Sequence, residues 1–325
     1  MKAFLTGGTG FIGGYVVRKL RERGDDVVAL VRSPRKAAEI EKLGCEVVQG
    51  DLSDEEVMRE AMAGCDAVFH IAAVYKVGVP SSECPPMHEA NVGGTQRAID
   101  AAATAGVPKI VYVSTIGYFG NTRGEVVDES FQRRPGDWLS CYDETKYKAH
   151  EVAKQRIAQG APIVIVQPGA VYGPGDESEV GTFVLQMATG KLKFLTFPEV
   201  GFTFCFVEDV AEGIIAAHDK GAVGESYVLG GEIGTLGDLV SRAARLTGRK
   251  PPRITIPGHL VKACIPMAPL VTKAMGLPPN LRELIRSSDG VTYWASDSKA
   301  RSELDYSSRP LDEGLRQTLV SLGTS

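Results

Sequence analysis

A tyrosine and a lysine four residues apart are the side chains best suited to chemistry in this sequence. The run Tyr142-Asp143-Glu144-Thr145-Lys146 places a phenol and an ammonium on one face of a helix, about 6 Å apart along its axis. A neighbouring cation favours the phenolate and lowers the pKa of a tyrosine, so Tyr142 could serve as a general acid or base near neutral pH. The same spacing also occurs by chance on ordinary surface helices.

Two hydroxyl side chains, Ser114 and Thr115, follow directly on a predicted strand over Lys109–Val113. The carboxyl end of a strand is the edge at which ligands bind in open α/β sheets. A hydroxyl at this edge can orient a substrate carbonyl. Together with Tyr142 and Lys146, these residues predict an active site.

A glycine-rich turn joins the first predicted strand to the first predicted helix. Residues Thr6–Gly13 read Thr-Gly-Gly-Thr-Gly-Phe-Ile-Gly. The glycines at 7, 10 and 13 allow a tight turn, a close approach to a pyrophosphate, and close packing of the helix, whose N-terminus faces the negative charge. The strand–turn–helix context favours dinucleotide binding over the alternative, a tight turn without a ligand.

The residues after the second predicted strand indicate which nicotinamide cofactor the turn would bind. Val31 is followed by Arg32-Ser33-Pro34-Arg35-Lys36, without an acidic residue. A carboxylate at this corner accepts a hydrogen bond from the ribose 2′-hydroxyl of NAD, whereas arginine accommodates the 2′-phosphate of NADP. We therefore expect NADP(H), with Arg32 as the main candidate and Arg35 as the second. Alternatively, Arg35 and Lys36 form only a solvated first helical turn.

The elements that must position these residues alternate regularly between strand and helix. The predicted strands are Lys2–Thr6, Val27–Val31, Glu46–Gln49, Ala67–His70, Lys109–Val113 and Ile163–Gln167. The predicted helices are Phe11–Arg23, Pro34–Leu43, Asp54–Ala61, His88–Ala105 and Tyr142–Gln159. Such alternation predicts an α/β fold, a Rossmann-type doubly wound parallel sheet with a smaller C-terminal α+β substrate lobe.

The regular alternation of strand and helix patterns ends after about residue 170. Residues 1–170 are expected to form the NADP-binding Rossmann domain, with segments returning from about 200–230. Residues 171–325 would then form mainly the substrate-binding lobe, in which the one clear strand pattern is Ser226–Leu229. The apolar stretch Leu260–Leu277 contains two lysines and two prolines, so we expect an amphipathic helix and loop over a groove, not a membrane span.

Composition excludes several other classes of function. The 36 Lys and Arg residues against 40 Asp and Glu residues give a net charge of −4, which disfavours nucleic-acid binding. The six cysteines lack a CxxC pair, so we expect neither a disulfide framework nor a metal site. The N-terminal residues do not follow the layout of a signal peptide, and we expect a cytoplasmic protein without a membrane partner.

Further motifs make the chain resemble a known family. These are Asp51-Leu52, His70–Ala73, Asn91–Thr95, Val113–Thr115, Pro168–Gly175 and Val207–Val210. With the glycine-rich turn and the Tyr142/Lys146 pair, they resemble an extended short-chain dehydrogenase/reductase over nearly the whole chain. The chain is most similar to the dihydroflavonol reductase and cinnamoyl-CoA reductase branch, and to the hopanoid-associated sugar epimerase-like proteins beside it. The closer match lies in Val31-Arg32, Lys299-Ala300, Leu304–Tyr306 and Arg309-Pro310.

The resemblance implies roles for individual residues. Tyr142 would be the catalytic acid/base, Lys146 would bind the nicotinamide ribose and tune Tyr142, and Thr115 would hold the carbonyl oxygen. The implied cofactor-binding residues are Gly7, Thr9, Gly10, Phe11, Ile12, Gly13, Arg32, Arg35, Asp51, Leu52, Ala72, Ala73, Tyr142, Lys146, Pro168, Ala170 and Val171. Candidate substrate contacts are Ser114, Tyr75, Tyr118 and Tyr172, although these aromatic residues could equally pack within the lobe. The family also implies a homodimer.

Two departures from the family pattern bear on the substrate. Phe202 and Phe206 stand where nucleotide-sugar members carry arginine and histidine. Phenylalanine offers a diphosphate no charge-assisted hydrogen bonds, which favours reduction of a largely apolar aldehyde or ketone, although Arg282 or Arg286 could supply charge. The alternatives are an NDP-sugar epimerase or dehydratase with tightly bound NAD(P), and a non-catalytic NADP-binding sensor.

Overall fold

The computed structural model describes residues 1–263, 265 and 279–323. Most of the predicted cover segment Leu260–Leu277 lies outside the described residues, and its first part belongs to a helix over Gly258–Ala263. Within the described part of the chain, no helix is long and apolar enough to cross a membrane.

Thirteen strands are described, and seven of them form one parallel sheet. In chain order the strands are β1 (Lys2–Thr6), β2 (Asp26–Val31), β3 (Glu46–Gln49), β4 (Ala67–His70), β5 (Ile110–Val113), β6 (Ile163–Pro168), β7 (Ala170–Tyr172), β8 (Phe194–Thr196), β9 (Gly201–Phe206), β10 (Ser226–Leu229), β11 (Glu232–Thr235), β12 (Ile254–Ile256) and β13 (Thr292–Tyr293). The main sheet has the order β10-β6-β5-β4-β1-β2-β3. The chain therefore reverses direction across the sheet between β1 and β4, which opens a crevice at their carboxyl ends.

Helices cover both faces of this sheet. In chain order the described helices are α1 (Phe11–Glu22), α2 (Pro34–Glu41), α3 (Glu55–Met62), α4 (Cys84–His88), α5 (Gly94–Thr104), α6 (Cys141–Ala158), α7 (Glu179–Ala188), α8 (Val207–Asp219), α9 (Leu236–Leu246), α10 (Gly258–Ala263), α11 (Leu281–Ser288), α12 (Ser298–Leu304) and α13 (Leu311–Ser321). Helices α1 and α8 pack on one face, and α3, α5 and α6 on the other. This double cover explains why the inner strands are apolar throughout, and the predicted Rossmann-type fold is confirmed.

A second, smaller set of strands lies beyond β6. Strands β11, β9 and β13 form a sheet in which β7 also pairs with β9, and β12 pairs with β8. Helices α7, α9 and α13 pack on this sheet around a core that includes Tyr172, Phe204 and Phe206. Helix α8 and strand β10 return to the main sheet.

The prediction of one regular helix over His88–Ala105 is wrong. Residues Glu89–Gly93 form a π-helical turn between α4 and α5. Within this turn the Asn91 side chain accepts a hydrogen bond from the Val74 amide at 2.7 Å and donates to the Val74 carbonyl at 3.0 Å. Such single π turns within helices are frequent at functional sites, and here the widened turn aims Asn91 at the loop after β4.

A partly buried ion pair joins the smaller lobe to helix α8. The Arg309 guanidinium contacts both carboxylate oxygens of Asp209 at 2.6–3.1 Å and lies 4.2 Å from the centre of the Phe206 ring. The Asp209 side chain is only 6% exposed. Loss of the arginine would therefore leave a carboxylate without its main partner in a low-dielectric environment.

We predict that Arg309→Met lowers the free energy of unfolding by about 2–4 kcal/mol, because Asp209 stays buried without its counter-ion. Guanidinium denaturation followed by circular dichroism measures this loss. The matched control is Arg59→Met, whose partner Glu56 is 67% exposed, and no measurable change is expected there. Equal losses in the two variants would contradict the assignment of Arg309 as a lobe anchor.

Candidate active site

The glycine-rich turn after β1 is too crowded for side chains. A Cβ atom on Gly13 would lie 2.1 Å from the Gly7 carbonyl oxygen, and one on Gly7 would lie 2.7 Å from the Ala72 amide nitrogen. Gly7 also has a φ of +78°, which glycine adopts without strain. The turn therefore requires glycine at these positions. Its backbone lies at the crevice between the carboxyl ends of β1 and β4.

The N-terminus of α1 has the character of an anion site. Gly10 is its N-cap, no side chain caps it, and its first turn contains no acidic residue. Uncapped amide groups at a helix N-terminus bind phosphate groups well. Thr9, Phe11 and Ile12 are partly buried around the exposed Gly10. The residues present thus fit the pyrophosphate of a dinucleotide.

The end of β2 carries the cations that the sequence singled out. Arg32 and Arg35 are both exposed. Asp51, at the end of β3, accepts hydrogen bonds from the hydroxyl and amide of Ser53 at 2.5 and 2.7 Å. These bonds lower the pKa of Asp51, and the charge of Arg32 contributes to the same shift. Arg32 and Asp51 therefore face one corner, while the Leu52 side chain lies against Gly94 of α5.

Lys146 is buried where α6 meets the end of β5. Its side chain reaches the Val113 carbonyl oxygen, to which Nζ donates a hydrogen bond of 3.1 Å, and Nζ lies 5.3 Å from the centre of the Tyr112 ring. Burial lowers the pKa of Lys146 to about 8. An ammonium held in this way is available to a ligand bound at the carboxyl edge of the sheet.

Tyr142 precedes Lys146 by one turn of α6, and its ring meets the Tyr75 ring edge to face, with 4.8 Å between centroids. From the sequence, we expect Lys146 to lower the pKa of this phenol. Burial instead raises the pKa of Tyr142, and the Tyr112 phenol and the Asp143 and Glu179 carboxylates add to the effect. That expectation is therefore wrong for the structure described, because the loss of solvation dominates and the nearby groups raise the pKa as well.

The two predicted hydroxyls at the end of β5 have different environments. Thr115 is partly exposed; its hydroxyl donates to the Pro168 carbonyl at 3.5 Å and accepts from the Gly117 amide at 3.1 Å. Ser114 is 5% exposed, and its hydroxyl is hydrogen-bonded to His150 at 2.8 Å. Thr115 therefore stays partly exposed at the carboxyl end of β5, whereas Ser114 is turned into the core under α6.

His70 is a structural residue at the end of β4. Its two ring nitrogens are bonded to the hydroxyls of Thr6 at 2.8 Å and Thr95 at 3.0 Å. Burial lowers the pKa of His70 to about 3, so it stays neutral at physiological pH. The small residues that follow it, Ala72 and Ala73, lie beside the glycine-rich turn, with the Ala72 amide 3.3 Å from the Thr6 hydroxyl.

Three aromatic side chains lie one after another, starting from Tyr142: Tyr75 meets its ring, Tyr293 is close enough to Tyr75 to raise the pKa of that phenol, and Phe202 follows. Tyr75 is 49% exposed, and its hydroxyl donates to Glu179 at 2.7 Å. Phe202 stacks on Tyr293, with 5.9 Å between centroids and 11° between ring planes. We call Tyr75, Phe202 and Tyr293 the aromatic wall.

Two of the predicted substrate contacts, Tyr172 and Tyr118, and the departure residue Phe206 pack against other parts of the protein. Tyr172 is 1% exposed in the lobe core, and its hydroxyl donates to the Leu311 carbonyl at 3.2 Å. Phe206 is equally buried, beneath Arg309. Tyr118 stacks on His150, with 3.7 Å between centroids, and its hydroxyl donates to Glu151. These contacts occupy ring surface of all three residues, most completely in the buried Tyr172 and Phe206.

The remaining predicted cofactor residues border the same crevice. Pro168 ends β6, and Ala170 and Val171 open β7 and are partly buried. A Cβ on Gly169 between them would lie 2.2 Å from the Thr203 carbonyl oxygen, so this turn also needs glycine. Among the described residues, no group of three His, Cys, Asp or Glu side chains is arranged to hold a metal ion.

Three features of the site do not follow from the sequence patterns: Tyr112, Tyr293 and the contact between Arg133 and Asp143. Tyr112 lies beneath Lys146 and stacks on His70, with 5.7 Å between centroids; its place near the end of a core strand was the available signal. Tyr293 comes from β13, 151 residues after Tyr142 in the chain, and no local pattern links them. The Arg133–Asp143 pair forms only when the loop before α6 folds back on the helix.

Comparisons with known proteins agree with this arrangement. The model of the NAD dependent epimerase/dehydratase family matches residues 3–230. A protein of Synechocystis sp. named as a dihydroflavonol 4-reductase is 31% identical over 311 residues, which cover 93% of this chain and 88% of that protein. Cinnamoyl-CoA reductase 1 of Arabidopsis thaliana is 31% identical over 265 residues, 74% of each chain.

Solved structures share the whole fold. The crystal structure of gox2253 matches with a TM-score of 0.86 and 31% identity, over 99% of this chain and 97% of that one. A UDP-glucuronic acid 4-epimerase from Bacillus cereus, solved in complex with NAD, matches with a TM-score of 0.79 and 22% identity over 99% of both chains. From the family match, the two relatives and the site geometry, we conclude that the chain belongs to the NAD-dependent epimerase/dehydratase family, the extended short-chain dehydrogenases/reductases, whose members bind a nicotinamide cofactor.

Proposed function

We propose that this protein is an NADP(H)-dependent oxidoreductase that reduces the aldehyde or ketone group of a small-to-medium, largely apolar substrate to an alcohol. The observation that carries the proposal is the buried ammonium of Lys146, which lies one helical turn after Tyr142 and donates to the Val113 carbonyl at the end of β5, two residues before Thr115. Substrate pockets are mostly apolar with a few polar groups that fix orientation. The reductase names of two relatives support the reaction class.

Each residue of the trio has a distinct part in the reaction. NADPH, when bound, supplies the hydride. The Thr115 hydroxyl and the Tyr142 phenol hold the carbonyl oxygen, and Tyr142 gives it a proton as negative charge develops there. Lys146 stabilises that charge and binds the nicotinamide ribose. The raised pKa of Tyr142 keeps its proton in place for donation.

The preference for NADP(H) over NAD(H) rests on charge at the end of β2. Arg32 is exposed directly after this strand, and Arg35 lies in the first turn of α2. Guanidinium groups bind phosphate by paired, charge-assisted hydrogen bonds. The Asp51 carboxylate, by contrast, is engaged by Ser53.

A nucleotide-sugar epimerase or dehydratase is the second candidate, favoured by the exposed Arg282 and Arg286 on α11, which offer charge to a diphosphate. Such an enzyme recycles its cofactor within one turnover. Purified protein that releases stoichiometric NAD(P) on denaturation and interconverts UDP-sugars without net NADPH oxidation would favour it over the reductase.

We predict that Tyr142→Phe lowers kcat for NADPH-dependent carbonyl reduction about 100- to 1,000-fold, because the proton donor is lost. The KM for NADPH should change less than about threefold, since the ring stays in place. Absorbance at 340 nm measures both constants. Tyr147→Phe on the same helix, which keeps its stacking on Tyr118, is the control. Full activity in Tyr142→Phe would refute the assignment.

We predict that Arg32→Asp raises the KM for NADPH about 10- to 100-fold and lowers the KM for NADH, because a carboxylate repels the 2′-phosphate and accepts from a 2′-hydroxyl. Steady-state kinetics with both cofactors measures the ratio. Arg35→Asp tests the second candidate by the same assay. If neither variant changes the NADPH/NADH preference, the NADP(H) proposal fails.

We expect the buried Lys146 ammonium to lower the free energy of unfolding. Its pKa is about 8 when folded against an ordinary value of 10.5, so below pH 8 the folded protein holds a charge that solvent would stabilise better. We predict that Lys146→Met raises the free energy of unfolding at pH 7 by about 1–2 kcal/mol while abolishing turnover. The gain should shrink as pH rises from 8 to 10.5, because the buried lysine is then neutral.

Denaturant unfolding at pH 7 and pH 10 tests this expectation. Lys148→Met, which removes an exposed lysine paired with Glu144 one turn away, should show no such gain at either pH. A destabilised Lys146→Met variant at pH 7 would contradict the argument.

A further inference from the structure

The side chain of Arg133 is buried and bonds to residues beside two of the proposed catalytic residues, Tyr142 and Thr115. Arg133 and Asp143 form a bidentate pair, with Nη1–Oδ1 at 2.6 Å and Nη2–Oδ2 at 2.9 Å. Their side chains are 5% and 6% exposed. Asp143 immediately follows Tyr142 in the first turn of α6, so the pair is joined covalently to the proposed proton donor.

The same guanidinium also reaches the turn that carries Thr115. Arg133 Nη1 donates to the Gly117 carbonyl at 3.5 Å, and the Gly117 amide in turn donates to the Thr115 hydroxyl at 3.1 Å. One rigid planar group therefore contacts both the turn that holds Thr115 and the helix that holds Tyr142. Guanidinium is suited to this because its five donors have a fixed geometry.

Packing holds the guanidinium in one place. Its carbon lies 5.0 Å from the centre of the Trp138 ring and 5.6 Å from that of Tyr147. A Cβ on Gly120 would lie 2.7 Å from the same carbon, so the backbone approaches it closely. Nη2 also donates to the Asp137 carbonyl. These contacts leave the arginine little freedom to follow a moving partner.

Asp143 in turn organises the start of α6. Its carboxylate accepts from the Leu139 amide at 2.8 Å, and its own amide donates to the Ser140 hydroxyl, the N-cap, at 3.0 Å. Loop 131–140 and the helix start are thus fixed as one unit.

We propose that Arg133 is a positioning residue for the reaction: through the Asp143 carboxylate and the Gly117 carbonyl it holds Tyr142 and Thr115 in register with one another. This inference rests on the proposed reductase function and assigns to it a residue that does not touch the substrate. A misplacement of about 1 Å between reacting groups costs about 100-fold in rate, so a rigid link between the two elements has a direct kinetic consequence.

The Arg133–Asp143 pair also affects the electrostatic environment of the Tyr142 phenol. The groups that act on this phenol are Tyr75 from the loop after β4, Tyr112 from β5, Glu179 from α7 and Asp143 from α6 itself, with Lys146 one turn further along that helix. The Asp143 carboxylate raises the pKa of Tyr142. At the neighbouring Tyr293, Asp143 raises the pKa of the phenol and Arg133 lowers it. Removal of the carboxylate should therefore lower the pKa of Tyr142, and removal of the guanidinium should raise it.

We predict that Arg133→Met and Asp143→Asn each lower kcat about 10- to 100-fold, with less than threefold change in the KM for NADPH. The double variant should be no slower than the slower single variant, because the two residues act as one unit. Arg133→Lys should restore part of the rate. Arg134→Met, which removes the adjacent exposed arginine, is the control and should behave as the unaltered enzyme.

The pH dependence separates positioning from simple loss of structure. The alkaline limb of the kcat profile should move to lower pH in Asp143→Asn and to higher pH in Arg133→Met. The same directions should appear without turnover in the ¹⁹F NMR titration of Tyr142 in protein labelled with 3-fluorotyrosine, where Tyr142→Phe identifies the resonance.

Shifts in the same direction, multiplicative rate losses in the double variant, or rates equal to that of Arg134→Met would overturn the proposal. If the unaltered protein reduces no carbonyl, the reductase function fails by itself. The ¹⁹F titration then still decides whether the pair controls Tyr142.

Discussion

A buried ammonium that donates to a strand-end carbonyl is the contact on which the geometry of the site depends. Lys146 cannot reach the Val113 carbonyl unless α6 packs closely on β5. That packing brings Tyr142 over the carboxyl edge, and Thr115 already lies there as the second residue after Val113. Burying an amine lowers its pKa and costs stability. The surrounding core supplies that free energy, because the strands beneath are covered on both faces.

The site combines this buried cation with aromatic side chains and two nearby carboxylates. Tyr75, Phe202 and Tyr293 present ring surfaces. Of the nearby carboxylates, Asp143 is paired with Arg133, and Glu179 accepts a hydrogen bond from the Tyr75 hydroxyl. A desolvated, preorganised setting of this kind strengthens the interactions of the few polar groups that remain.

The smaller lobe contributes by supplying residues from distant parts of the chain. Phe202 and Tyr293 lie on β9 and β13, which pair in parallel in the second sheet, and Arg309 fastens this lobe to α8 through Asp209. Asn91, in the π turn, fixes the loop that carries Tyr75 by its two bonds to Val74. Each of these contacts orients one side of the cleft relative to the main sheet.

The sequence by itself determined the features that depend on neighbouring residues. Strand and helix periodicity predicted the doubly wound sheet, the glycine spacing predicted the turn after β1, and the four-residue spacing predicted Tyr142 and Lys146 on one helix face. These patterns are local, and their physical causes act over a few residues. Only the tertiary structure decided which aromatic residues face the cleft: Tyr75 does, while Tyr172 and Phe206 fill the lobe core. It alone decided that burial raises the pKa of Tyr142, and that Arg133 and Asp143 pair. Burial and pairing depend on the distances between segments far apart in the chain, and no local residue pattern contains those distances.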